Sequence, residues 1–327
     1  MKKIAAFVLP GFTDAEREKP REMLYIAPER PPAATAVLAG LQHAVVAMML
    51  VVYLVITGRD IGLAEEALRG FVTFGILVMG FGTLLNGLTT RISAGHLLVL
   101  VPSTINMMVF IPVANTFGWG AAASGVFAGG IALFFLGRFL PRFRVLFPPE
   151  VMGVLLLLIG VSLLPGGVRR CTGLLAGGSP VIQLDFVLIA TLTLGTITAI
   201  AVWGSARLRV FALIIGAAVG LLGAALSGQI GAGEWATIAE QPFFSQPLAS
   251  YRPPTFLWSW GAVVPMVLIA LIGSVDMIGS GVMIDRMNNE QWIRADLPMI
   301  GRLLSCVGIC FSASGLMGAL PAGCSSA

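Results

Sequence analysis

Residues Ala262–Met283 read AVVPMVLIALIGSVDMIGSGVM, and this stretch decides the fold class. It is long enough to cross a bilayer, which takes about 20 apolar residues, and it carries one charge, Asp276. No other carboxylate lies well inside a long apolar run of the chain. A charge at the centre of a membrane helix costs roughly 2.5–3.5 kcal/mol on insertion scales. Such a residue normally faces a partner, a cavity or a permeating substrate. The neighbours Gly273, Ser274, Gly279, Ser280 and Gly281 are small, so backbone or ligand can come close to the carboxylate. A carboxylate hydrogen-bonded to a neighbouring helix, with no substrate role, is the plainer account of the same residues.

The rest of the composition agrees with a polytopic, all-α membrane protein. Of 327 residues, 57% are hydrophobic and 11% charged, against about 25% charged in soluble domains. Forty glycines suit helices that pack closely or break within the membrane. Four cysteines (Cys171, Cys306, Cys310, Cys324) and two histidines (His43, His96) make no metal pattern. No glycine-rich phosphate loop or Ser/His/Asp arrangement stands out, so no cofactor and no enzymatic activity are expected. The net charge of +4 does not imply nucleic acid, because topology accounts for the basic residues. Met1–Pro32 is mixed in charge and polar, with no apolar run ahead of a cleavage site, and is not expected to be a signal peptide.

Apolar runs fall at Ala34–Ile56, Phe71–Leu88, His96–Phe117, Trp119–Leu140, Glu150–Leu164, Phe186–Trp203, Val210–Leu226, Ala262–Met283 and Leu297–Gly315. Glu150–Leu164 is short for a full span. Gly125 and Gly129 have the spacing that lets two helix backbones touch. With a cytoplasmic N-terminus, only Arg59, Arg69, Arg169, Arg170 and Arg252 of the 20 basic residues fall outside. That bias obeys the positive-inside rule and would be scrambled by one missed span. Residues 228–259 form the longest outside loop, ending in Trp258 and Trp260 as interfacial anchors.

Two stretches interrupt the apolar pattern. Backbone polar groups cannot stay unpaired in hydrocarbon, so irregular chain at membrane depth lines a cavity or is buried in protein. Val101-Pro102-Ser103-Thr104-Ile105-Asn106 is one such stretch, and Gly318–Ala327, with Pro321, Ala322 and Gly323, is the other. Paired interruptions point to a transporter of inverted repeats with its site between half-helices. An ordinary proline kink plus an ordinary loop is the simpler alternative. Gln42 and His43 lie a few turns into the first run and point about 100° apart, so at least one faces the bundle.

Leu38-Ala39-Gly40-Leu41-Gln42-His43 resembles the first-helix motif of the nucleobase–ascorbate transporters, the xanthine/uracil permease or nucleobase–cation symporter-2 family. Phe147-Pro148-Pro149-Glu150-Val151-Met152-Gly153 followed by Leu158-Ile159-Gly160-Val161-Ser162-Leu163 is similar to that family's Phe-Pro-Pro…Gly…Ile-Gly-Leu segment. Asp276-Met277-Ile278-Gly279-Ser280 resembles its Glu-x-x-Gly-Asp/His stretch, and Gly318-Ala319-Leu320-Pro321 the lead-in to its tenth segment. Two positions depart from the pattern: Asp276 is one methylene shorter than Glu, and Ser280 lacks a titratable group.

The resemblance implies seven plus seven segments in inverted repeats, with short strands and half-helices in segments three and ten. On that plan residues 1–33 are a cytoplasmic tail, 34–140 core segments one to four, and 141–227 gate segments five to seven. Residues 228–259 are the extracytoplasmic loop, and 260–327 hold core segments eight, nine and the start of ten.

It further implies proton- or sodium-coupled import of a purine or pyrimidine base across the cell membrane, with a homodimer as the assembly. Asp276 would accept from ring N–H groups and couple to the proton. Ser280, Pro102, Ser103, Thr104, Ala322 and Gly323 would complete the substrate site, with Gln42 and His43 bracing it. Two alternatives stay open: an inorganic-anion transporter of related architecture, and a truncated membrane protein that does not transport. The family's next signature would begin just after Ala327, so the 327-residue chain alone is expected to insert without binding a base.

Overall fold

The computed structural model describes residues 18–20, 25–26, 29, 31–143, 149–174, 181–205, 208–209, 211–231, 233, 251–293 and 295–325. Phe147, Pro148, most of the 228–259 loop and the last two residues lie outside them. Among the described residues, six helices are long and apolar enough to cross a membrane: His43–Asp60, Glu65–Gly87, Trp119–Arg142, Leu184–Trp203, Trp260–Met287 and Leu297–Leu316. The chain divides into two units, one of Met1–Leu156 with Pro247–Ala327 and the other of Leu157–Gln246.

In the first unit the opening apolar run is two helices, α1 (Ala33–Leu50) and α2 (Val52–Asp60), meeting at Val51. The Val51 amide donates to Met48 O, a tightened turn that keeps the backbone paired through the junction. α3 (Glu65–Gly87) follows, then strand β1 (Val99–Pro102) and α4 (Thr104–Phe117). At 14 residues and 1.5 Å per residue, α4 is about 21 Å long and covers only part of a ~30 Å hydrocarbon core. α5 (Trp119–Phe143), α9 (Trp260–Met287) and α10 (Leu297–Leu316) supply the long core helices, and strand β2 (Ala322–Ser325) ends the described chain. Both interrupted stretches therefore contain a short strand, as expected.

α5 is the hub. Its Gly125 and Gly129 face α9, where added Cβ atoms would lie 2.7 Å from Met266 Cγ and 3.1 Å from Ala270 Cβ. On another face, a Cβ at Gly130 would lie 2.4 Å from Ser312 N of α10, and one at Gly308 would lie 2.6 Å from Phe134 N. The two backbones are in contact there, as small residues permit in helix packing without a hydrophobic drive. Phe71, Phe110, Leu133, Met299, Leu303 and Phe311 are fully buried around this junction. At one end of the unit, Trp119 Nε1 donates to Gly318 O at 2.7 Å and Tyr251 Oη to Met317 O at 2.5 Å. These bonds tie the turn between α10 and β2, and burial pushes the Tyr251 phenol up from its ordinary range. Trp258 and Trp260 are exposed, with their rings edge to face at 5.5 Å.

α6 (Pro149–Cys171) runs across the division between the units. It is longer than the sequence suggested, because the helix continues through Pro165, which removes one donor without ending the run. In the second unit α7 (Leu184–Trp203) packs on α8 (Ala212–Leu226). The contact uses Gly216 and Gly220, whose Cβ atoms would meet Ile197 and Thr193. No residue of α7 is buried.

Two charged residues near helix ends are buried. Arg302, within the run Leu297–Gly315, lies in the second turn of α10; it is buried, and its Nε donates to Ser93 O at 3.2 Å. Asp285, read as lying beyond the membrane run, is buried in the last turns of α9. It accepts from Trp292 Nε1 and from the Asp296 amide, both at 3.0 Å. A carboxylate holding two donors tolerates such burial.

Candidate substrate site

The two strands pair antiparallel in the register Val99↔Ser325, Leu100↔Cys324, Val101↔Gly323 and Pro102↔Ala322. Residue 103 continues the ladder, its amide donating to Pro321 O at 3.0 Å. The pair thus satisfies part of its own backbone, and the amides on its outer edges need partners on neighbouring elements. Pro102 has no amide proton to donate, and the next ladder bond is donated by the amide of residue 103.

Ser103 then turns strand into helix. Its Oγ accepts from the Asn106 amide at 3.3 Å and from Asn106 Nδ2 at 2.7 Å, an N-cap built from the sequence Ser-Thr-Ile-Asn. With both bonds accepted, the Ser103 hydroxyl proton remains for another partner. The amides of Thr104 and Ile105 open α4 and, as first-turn amides, have no intrahelical acceptor.

A cavity of about 220 Å³ lies between the strand pair, α9 and the junction of α1 and α2. Pro102, Ser103, Thr104 and Ile105 form one wall, Gly323 and Cys324 another, and Gly273, Asp276 and Met277 of α9 a third. Leu50 and Tyr53 close it. Asp276 is exposed toward this space while Ser274, Val275, Met277 and Ile278 around it are buried. No hydrogen bond or ion pair joins its carboxylate to another described residue. Drug-sized ligands occupy pockets of about 300–1,000 Å³, so this one suits a smaller molecule.

Of the residues singled out from sequence, Asp276, Pro102, Ser103, Thr104 and Gly323 meet at the cavity. Ser280 does not: it is one turn along α9 and buried. Ala322 pairs with Pro102 and lies behind the wall. His43 is half-buried on α1 and off the cavity, and the Gln42 side chain is outside the described residues. Tyr53 and Met277, which supply ring and thioether contacts, went unnoticed in the sequence. An aromatic in an apolar run carries no signal that separates cavity from lipid.

The model of the permease family that carries the xanthine/uracil permease label matches residues 34–327. Uric acid permease PucJ of Bacillus subtilis is 29% identical over 252 residues, covering 73% of this chain and 54% of PucJ. Uric acid permease PucK of the same organism is 26% identical over 88% of this chain and 66% of its own length. The uracil permease of Escherichia coli K12 is 27% identical over 75% of this chain and 56% of its own. The chain thus spans between about half and two thirds of the curated relatives it matches. Among solved structures, the transmembrane domain of a cyanobacterium bicarbonate transporter, BicA, has a similar fold, with a TM-score of 0.53. That likeness covers 88% of this chain and 73% of that one at 20% identity. A mostly helical, multi-pass chain with a family match over nearly all its length belongs to the xanthine/uracil permease family of nucleobase–ascorbate transporters.

Proposed function

We propose that the protein imports a purine or pyrimidine base across the cell membrane in symport with a proton, with Asp276 as the group that both binds and couples. The observation that carries this reading is a carboxylate with no partner among the described residues, facing a small cavity beside a strand-to-helix turn rich in donors. A neutral base presents a planar edge of N–H and C=O groups. Asp276 would accept from ring N–H groups, and a hydrogen bond to a charged acceptor contributes about 1.5–3 kcal/mol. The Ser103 hydroxyl and the first amides of α4 would donate to ring carbonyls. Tyr53 and Met277 would cover the ring face. Relatives named for uric acid, xanthine and uracil support this substrate class.

On this reading residues 34–140 and 260–327 act as a core that moves against a gate of residues 141–227, within a scaffold of inverted repeats. The antiparallel crossing of β1 and β2 is the pairing such a repeat would bring together. The N-terminus is cytoplasmic and a homodimer is the working assembly. For net symport the proton on Asp276 crosses inward with the base and is released with it, so the empty carrier returns with Asp276 unprotonated; sodium is the competing coupling ion. The anion alternative draws on the fold shared with BicA and on the helix N-terminus at Ser103, which suits anions. Asp276 in the same cavity would repel one.

The test is uptake of labelled uracil, xanthine and urate by a host lacking its own carriers, with the protein expressed from its complete reading frame. Uptake should be abolished by a protonophore and by Asp276→Asn, which keeps shape and removes the charge. Losing 1.5–3 kcal/mol corresponds to about 10- to 150-fold in affinity. Uptake by Asp276→Asn within twofold of the parent sinks the role given to Asp276. Competition by bicarbonate or sulfate, and none by bases, moves the assignment to anions.

A further inference from the structure

One helix, α3, grips both strands of the pair at a single rung. Thr83 Oγ1 accepts from the Leu100 amide of β1 at 3.0 Å and donates to Met79 O at 2.7 Å. One turn on, fully buried Asn86 donates from Nδ2 to Cys324 Sγ of β2 at 3.5 Å. Leu100 and Cys324 are partners across the sheet. Just before Thr83 is Gly82, where a Cβ would lie 2.3 Å from Leu100 Cδ2 and 2.7 Å from Cys310 Sγ. α3 can therefore approach the strands only because that position has no side chain. Neither Thr83 nor Asn86 lines the cavity, whereas Cys324 and its neighbour Gly323 do.

The rest of the bonding makes the grip matter. A two-stranded sheet leaves one row of amides on each strand without a ladder partner, and at membrane depth each must find another acceptor. For Leu100 that acceptor is the Thr83 hydroxyl. Asn86 is itself fixed, its carbonyl accepting from the Gly95 amide at 3.1 Å. Its Oδ1 has no partner, so its side-chain bonding among the described residues runs through Cys324.

We propose that Thr83 and Asn86 are positioning residues of the substrate cavity, setting the rung Leu100–Cys324 and through it the wall at Gly323 and Cys324. The proposal rests on the reading of the cavity as the base site, and its test separates the two. With Cys171→Ser, Cys306→Ala and Cys310→Ala in place, Cys324 is the single thiol, and its alkylation by N-ethylmaleimide in membranes reports the wall without any base. Thr83→Val removes the acceptor at nearly constant volume, Asn86→Ala removes the donor, and Thr83→Ser keeps the hydroxyl.

Thr83→Val and Asn86→Ala should each speed Cys324 alkylation about tenfold. In the otherwise unmodified protein each should raise the half-saturating base concentration about tenfold, with maximal uptake little changed. Thr83→Ser should stay within twofold of the parent in every measurement. Unchanged alkylation in both Thr83→Val and Asn86→Ala overturns the proposal. So does a Thr83→Ser variant as impaired as Thr83→Val, since packing would then be the cause. If Thr83→Val does not accumulate, Asn86→Ala decides alone; if neither accumulates, the pair supports folding and the proposal falls. A parent that takes up no base defeats the functional reading, while the alkylation result still judges the clamp.

Discussion

Gly308 on α10 tests whether backbone contact with α5 holds the core together. A Cβ there would meet Phe134 N at 2.6 Å, Gly130 O at 2.7 Å and Phe134 Cα at 3.0 Å. Ordinary contact begins near 3.4 Å, so the shortfall at the nearest atom is 0.8 Å. All three obstacles are backbone, and none can rotate aside. α10 must move away from α5 by most of that distance, along an interface whose α10 side is largely buried. A gap of 0.5–1 Å forfeits a quarter to a half of each dispersion contact, and overpacking typically costs about 1–3 kcal/mol. Alanine's better helix propensity returns up to about 1 kcal/mol. Gly308→Ala should therefore destabilise by about 1–2 kcal/mol. Gly279→Ala on α9 is the control, because nothing lies within 4 Å of its Cβ; it keeps the propensity gain. Heating in detergent followed by fluorescence-detected size exclusion measures both. Gly308→Ala as heat-resistant as Gly279→Ala would refute the claim that the two backbones touch there.

Further substitutions probe the cavity. Asp276→Glu advances the carboxylate by one carbon–carbon bond, about 1.5 Å; base affinity should change more than tenfold while uptake persists, and a change under threefold would place the substrate away from Asp276. Gly323→Ala should fold, because its Cβ would be 3.2 Å from Met277 Cε, the mobile end of a side chain. The added methyl narrows the cavity, so competition binding should show about a tenfold loss; full affinity would remove Gly323 from the substrate wall. His43→Asn should lower uptake rate or protein level with at most a threefold change in affinity, since His43 lies off the cavity. An affinity loss matching that of Asp276→Asn would put the histidine against substrate.

Membrane spans were legible because each is a long run whose polarity falls abruptly at both ends; Leu297–Gly315 and Phe186–Trp203 differ from α10 and α7 by a residue or two. The turn at Val51 left no mark, as no proline or glycine accompanies it. Asp276 stood out because a lone carboxylate among apolar residues has few structural explanations. The burial of Asp285 and Arg302 did not, since charges near helix ends read as solvated until their partners Trp292 and Ser93 are seen. Those partners are set by tertiary packing, which a single sequence does not display.

The strands show most clearly what sequence withholds. Val99–Pro102 has the branched residues of a strand, but it is embedded in an apolar run that reads equally as helix. Ala322–Ser325 reads Ala-Gly-Cys-Ser, with no branched or aromatic residue to favour extended backbone. Its extension comes from pairing with a segment more than 200 positions earlier. The small residues have a different cause: this strand is a wall of the cavity, and larger side chains at Gly323 or Cys324 would occupy the space the wall encloses. Local propensity was given up at the place where the cavity requires room. The ladder to β1 and the grip of Asn86 on Cys324 supply the conformational preference the strand's own residues lack.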